Sequence, residues 1–143
     1  MQAESAAMTQ QYTSELALFI NGSWRSGEGR ETLTVRNPAS GAGIADLPVA
    51  TPADLEEALA AAEQGFREWR AVDVDARGAI LRKAAVLLRE RAEMIAVLLT
   101  TEQGKPKPEA LGEIMGAASF FDFYAEEARR AYGRVLVRPT GQR

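Results

Sequence analysis

Residues 44–69 read IADLPVATPADLEEALAAAEQGFREW, and the change of hydrophobic period inside this stretch decides the fold. Ile44 to Val49 suits a short strand, with Pro48 placing it at a sheet edge because proline donates no ladder hydrogen bond. At Thr51 the period changes. Thr51-Pro52-Ala53-Asp54 sets a hydroxyl at the N-cap, proline at the first helical position and a carboxylate at the third. Leu55, Ala58, Leu59, Ala62, Phe66 and Trp69 follow at helical spacing, giving a helix over about 52–70 with one apolar face. Phe66 and Trp69 are expected to be buried between helices.

Towards the N-terminus the signals are those of short strands. Leu16 to Ile20 is apolar, Asn21-Gly22 is a hairpin turn because both residues tolerate positive φ, and Ser23-Trp24 starts the return. Thr32 to Arg36 alternates apolar and polar residues, and Asn37-Pro38 ends it. The first fifty residues thus predict a small antiparallel β meander, preceded by a flexible tail over 1–14 and opening a single domain over 15–143.

Towards the C-terminus the signals are helical. Asp73 or Asp75 can cap a helix over about 75–103, with a bend near Arg91 where Arg89-Glu-Arg-Ala-Glu93 interrupts the apolar stripe. Gly104, Pro106 and Pro108 end it. A last helix over about 108–131 is apolar on nearly all sides, which places it inside something larger. Gly112 and Gly116, one turn apart, would let a neighbouring backbone approach closely. Val135-Leu-Val137 starts a strand and Pro139-Thr-Gly141 turns back towards a partner strand that the 143 residues do not supply.

The chain has no cysteine and no histidine. Serine–histidine and cysteine–histidine nucleophiles and Cys/His-ligated zinc are therefore excluded within it. Net charge −3 offers no basic face for nucleic acid. No apolar run approaches a membrane span, and Met1 to Gln11 lacks the basic and apolar regions of a secretory signal, so the expected compartment is the cytoplasm. Gly27-Glu-Gly29 and Gly41-Ala-Gly43 lack the third glycine of a dinucleotide fingerprint, and Gly104-Lys105 lacks the rest of a P-loop. Glu56-Glu57 and Glu126-Glu127 diverge around their helices, and Glu102 with Lys105 suits a helix-end ion pair. No catalytic site is visible.

Several segments nevertheless resemble a known family in order and spacing. They are Glu102-Gln-Gly-Lys-Pro106, Glu109-Ala110, Gly112-Glu113-Ile114, Ala117-Ala-Ser-Phe120, Ala125-Glu-Glu127 and Tyr132-Gly133. Upstream stand Phe19-Ile-Asn-Gly22 with Trp24, Asn37-Pro38, Ala61-Ala62 leading to Trp69-Arg70, and Arg77 before Ile80-Leu81-Arg82. Together, over about residues 16–137, they resemble the N-terminal part of NAD(P)-dependent aldehyde dehydrogenases, most of all the succinate-semialdehyde dehydrogenase branch.

The resemblance implies an α/β, Rossmann-type parent fold of which this segment is the α-rich start. It implies a parent that oxidises an aldehyde through a cysteine thiohemiacetal with hydride transfer to NAD or NADP. The motifs carrying that cysteine, the glutamate base, the oxyanion asparagine and the cofactor lysine lie further along in family members. No catalytic, cofactor-binding or metal residue carries over, and no NAD or NADP is expected to bind this segment alone. In the family the last helix borders the substrate channel, which puts Gly116 and Phe120 on that wall; plain core packing fits the same spacing. The implied partners are the missing C-terminal portion of the same enzyme and, in the parent, further copies in a homo-oligomer, with no nucleic acid and no membrane. The alternative is a stand-alone, non-catalytic helical interaction module derived from such an enzyme. Either way the isolated chain is expected to be inactive and, through its last helix, to self-associate.

Overall fold

The computed structural model describes residues 16–131 and residue 133. The expected tail over 1–14, the place of Tyr132 on the last helix, the strand Val135–Val137 and the turn at 139–141 lie outside the described residues. Among the described residues four strands come first: β1 (Leu18–Ile20), β2 (Ser23–Arg25), β3 (Thr32–Arg36) and β4 (Gly43–Pro48). Four α-helices follow: α1 (Pro52–Ala71), α2 (Val74–Glu90), α3 (Ala92–Gln103) and α4 (Lys107–Glu127), the last continued by a 3-10 turn at Ala128–Arg130.

The strands form two separate antiparallel ribbons, β1 with β2 and β3 with β4. Leu18 faces Arg25 across the first, whose turn holds Asn21 and Gly22 at φ 50° and 76°. Thr32 faces Pro48 across the second, with an irregularity between Val35 and Arg36. The expected antiparallel start is present, but β2 does not continue the pairing into β3.

Local chemistry sets the helix ends. The Thr51 hydroxyl accepts the Asp54 amide, and the Asp54 carboxylate accepts the Thr51 amide, a reciprocal capping box. Of the two aspartates able to cap α2, Asp73 does so, accepting from the amides of Asp75 and Ala76. The bend expected near Arg91 is there, with Arg91 at φ −102° and ψ 6° separating α2 from α3. Gly104 ends α3 at φ 76°, and a Cβ on it would lie 2.9 Å from the Pro38 ring. The turn after β3 is thereby seated against the end of α3.

The helical core is made of small side chains. Ala85, Ala92, Ala96, Ala110, Ala118 and Ala125 are buried, and among the described residues no large side chain is fully buried. Alanine on facing surfaces lets α4 pack closely on α2 and α3. At Gly78 the approach is close, since a Cβ there would lie 3.2 Å from the Ala125 carbonyl oxygen. Ion pairs run along the antiparallel α2–α4 contact: Asp75 with Arg129 at 2.6 Å, Arg82 with Glu126 at 2.8 Å and Arg89 with Asp122 at 2.6 Å. They are exposed, so they orient the helices more than they stabilise them.

Three expectations need correcting. Phe66 and Trp69 are not buried between helices; they are 63% and 40% exposed, because α1 makes its main packing contact with β1 rather than with the other helices. No backbone approaches Gly112 or Gly116, where a Cβ would meet nothing within 4 Å, because α4 turns its opposite face to its neighbours. Lys105 pairs with Glu113 of α4 rather than with Glu102, since the chain turns at Gly104 and carries Lys105 out of the helix.

Candidate functional site

Two places on the chain bring functional side chains together. The first is the outer face of α4. Gly116 and Phe120 lie one turn apart on it, Gly116 half-buried and Phe120 66% exposed. Phe123 and Tyr124 extend the same face, their rings meeting edge-on with centroids 5.3 Å apart. Ser119, the hydroxyl among them, donates to the Met115 carbonyl oxygen at 3.1 Å and is spent within its own helix. The face is apolar and aromatic, opposite the packed alanines. It can wall a hydrophobic space; it holds no nucleophile and no base.

The second place joins the first ribbon and the loop that follows it to α1. Asp54 is 3% exposed. Its carboxylate accepts from Arg30 Nη1 at 2.6 Å and Nη2 at 3.2 Å, from the Thr51 hydroxyl at 2.6 Å and amide at 2.8 Å, and from Arg25 Nη1 at 2.8 Å. Arg25 also donates to Glu57 at 2.6 Å. Arg25 comes from β2 and Arg30 from the following loop, so one carboxylate ties three pieces of the chain together. The Arg30 guanidinium, then the Thr51 hydroxyl and amide, then Arg25 hold the Asp54 carboxyl well below the usual carboxylate range. Arg25, bound to Glu57 and Asp54, and Arg30, bound to Asp54, are held above the ordinary arginine value.

The sign of the pH dependence follows. A carboxyl whose folded pKa is depressed contributes stability above its ordinary value of 3.8, and the contribution fades as pH falls below that value. In thermal unfolding, Asp54→Asn is expected to melt several degrees below wild type at neutral pH, and the gap should narrow below about pH 4. A gap that stays constant across the acid range would show that the ion pairs contribute nothing.

Sequence reading found the Thr51–Asp54 box but not the two arginines. They lie 29 and 24 residues away, and only their shared position ahead of the capped helix hinted at them.

Neither place fits a dinucleotide. A pyrophosphate needs free amides at a strand-to-helix turn. Among the described residues, the junction between β4 and α1 is of that kind, and the Asp54 carboxylate already occupies the anion position at its helix start. The open depression beside it, about 580 Å³, is lined by Glu28, Gly29, Arg30, Glu31 and Val49 to Pro52, with mixed charge and a guanidinium already spent on Asp54. No group of three or more metal-ligating side chains occurs among the described residues, and no helix among them is long and apolar enough to cross a membrane.

Comparison with known proteins adds the lineage. Residues 24–143 match the aldehyde dehydrogenase family. The 4-(hydroxymethyl)benzenesulfonate dehydrogenase TsaD1 of Comamonas testosteroni is 47% identical over 119 residues, 83% of this chain and 25% of that protein. A glutarate-semialdehyde dehydrogenase of Pseudomonas putida is 42% identical over 118 residues, 82% of this chain and 25% of its own. The crystal structure of a succinate-semialdehyde dehydrogenase from Burkholderia pseudomallei superposes with a TM-score of 0.81 at 35% identity, over 91% of this chain and 27% of that one. The chain spans about a quarter of the length of the curated relatives it matches.

Proposed function

Since the chain belongs to the aldehyde dehydrogenase family, with the helix-rich build of a segment of that α/β fold, we propose that it is the N-terminal segment of an NAD(P)-dependent aldehyde dehydrogenase acting on a semialdehyde. The observation that carries this reading is the family match over residues 24–143, together with relatives named for glutarate and succinate semialdehyde. Succinate semialdehyde is the proposed substrate and the cytoplasm the proposed compartment.

In this reading the segment supplies scaffold and wall rather than chemistry. Gly116 gives the aldehyde's path room, and Phe120 bounds it with an aromatic surface. The nucleophile, the cofactor cradle and the cover for the outer face of α4 come from the C-terminal portion of the enzyme, and the complete enzyme is a homo-oligomer. Making a hydride donor from an aldehyde normally proceeds through a thiohemiacetal, and a chain without cysteine cannot form one. The chain alone is therefore inactive.

The test has two arms. The purified chain, given succinate semialdehyde with NAD or NADP, should form no reduced nicotinamide above a protein-free blank. Put in place of the matching segment of the Burkholderia enzyme, it should restore turnover, and Phe120→Ala in that chimera should raise KM by about threefold to tenfold, as expected for losing one apolar contact. A folded but inactive chimera would overturn the scaffold role and favour a non-catalytic interaction module. An unchanged KM would remove Phe120 from the wall.

A further inference from the structure

The chain has two asparagines, Asn21 and Asn37, and their surroundings give them opposite chemistry. An asparagine loses its side-chain amide when the backbone nitrogen of the next residue attacks its Cγ. The next residue must have an N–H to ionise and little bulk at its Cα. Asn37 is followed by Pro38, which has no N–H, and its Oδ1 accepts the Ala39 amide at 2.9 Å. Asn21 is followed by Gly22, which has an N–H and no Cβ. Both Asn21 and Gly22 are exposed, and a Cβ on Gly22 would meet nothing within 4 Å, so water and base have open access. Gly22 also lies outside the closing Ile20–Ser23 pair, so its amide is not part of the ladder.

The folded turn restrains this reaction. Asn21 and Gly22 stand at φ 50° and 76°, both positive in a two-residue hairpin loop, which is the type I′ turn. Ring closure brings the Gly22 nitrogen and the Asn21 Cβ nearly eclipsed about the Asn21 Cα–C bond, and type I′ dihedrals hold them far apart around it. The loop must open first. The first ribbon is lightly held against such opening. Ile20 is buried, Phe19 and Trp24 are exposed, and Arg25 ties the ribbon to α1 through Asp54 and Glu57.

We propose that Asn21-Gly22 is a self-modifying site, converting in water to aspartate and isoaspartate at a rate set by opening of the first ribbon. The Gly22 amide gives its proton to base, its nitrogen bonds to Asn21 Cγ, and the Cγ–Nδ2 bond breaks to release ammonia. Water then opens the resulting succinimide. Breaking the bond from nitrogen to Cγ leaves aspartate; breaking the bond from nitrogen to the backbone carbonyl carbon leaves isoaspartate. No oxidant or reductant takes part. Isoaspartate runs the chain through Cβ and Cγ, so the loop gains a carbon that a two-residue turn with Ile20 opposite Ser23 cannot accommodate. The change therefore loosens the ribbon in one direction only. This assignment does not rest on the catalytic reading.

The intact chain, kept at mildly alkaline pH and sampled over days, tests it by peptide mass spectrometry, with isoaspartate counted by enzymatic methylation of its carboxylate. Asn21 should lose its amide progressively, and faster at higher pH, while Asn37 keeps its own. Unfolding in urea should speed the loss at least about tenfold, because the turn no longer restrains Asn21. Arg25→Gln, with its helix content checked by circular dichroism, should speed it about threefold to tenfold in native buffer. Glu57→Gln removes only the exposed partner of Arg25 and should act in the same direction with the Asp54 contacts intact. An Asn21 as durable as Asn37 in the native chain overturns the proposal. Equal rates with and without urea overturn pacing by the fold. Unchanged rates in both variants overturn pacing by the ribbon's hold on α1.

Discussion

Replacing Gly104 with valine is expected to destabilise the chain by about 3 kcal/mol, the sum of a left-handed backbone penalty and a steric one. Gly104 closes α3 at φ 76°, where a β-branched residue is strained whatever its surroundings. Its position is also crowded, with a new Cβ only 2.9 Å from the Pro38 ring, so the turn after β3 would have to move off the end of the helix. Urea denaturation of wild type and variant measures the loss. Gly104→Asn separates the two causes, because asparagine tolerates the left-handed region but keeps the clash; it should lose roughly half as much. A valine variant within about 0.5 kcal/mol of wild type would mean that the αL cap and its contact with Pro38 relax without cost.

The second large effect is expected at the packed side of α4. Ala118 is fully buried, so Ala118→Leu must force apart helices that meet through alanine, at a cost of about 3 kcal/mol. Two residues away the sign reverses. Gly116 faces open space, so Gly116→Ala should gain about 0.5–1 kcal/mol from helix propensity alone. Denaturation midpoints of the two variants, measured side by side, give the comparison. If Ala118→Leu proved neutral, the alanine seam would be looser than its exposure indicates.

What could be read from the sequence was what neighbouring residues decide among themselves. The Thr51–Asp54 box, the cap at Asp73 (one of two candidates), the Gly104 stop, the Asn21-Gly22 turn and the break at Arg91 each depend on a few consecutive residues and agree with the sequence reading. The family was legible too, because its short motifs recur in order along the chain. What was not legible needed distant partners. Amphipathicity shows that α1 has an apolar face but not what covers it, which is why Phe66 and Trp69 are exposed where their spacing suggests burial. Gly78 matters only because α4 crosses it there, and nothing near Gly78 announces that crossing. The same holds for Arg25 and Arg30, whose role depends on a carboxylate in another element. Gly116 and Phe120 do share a face of α4, as their spacing required; the channel they would border is proposed, not seen.

The alanine core has a thermal consequence. Heat capacity rises on unfolding in proportion to the apolar surface newly wetted, and here the buried side chains are small while many large ones already face water. Unfolding therefore exposes little new hydrocarbon for each residue released. The isolated chain should have a flat free-energy curve against temperature, a shallow dependence on denaturant and a broad melting transition.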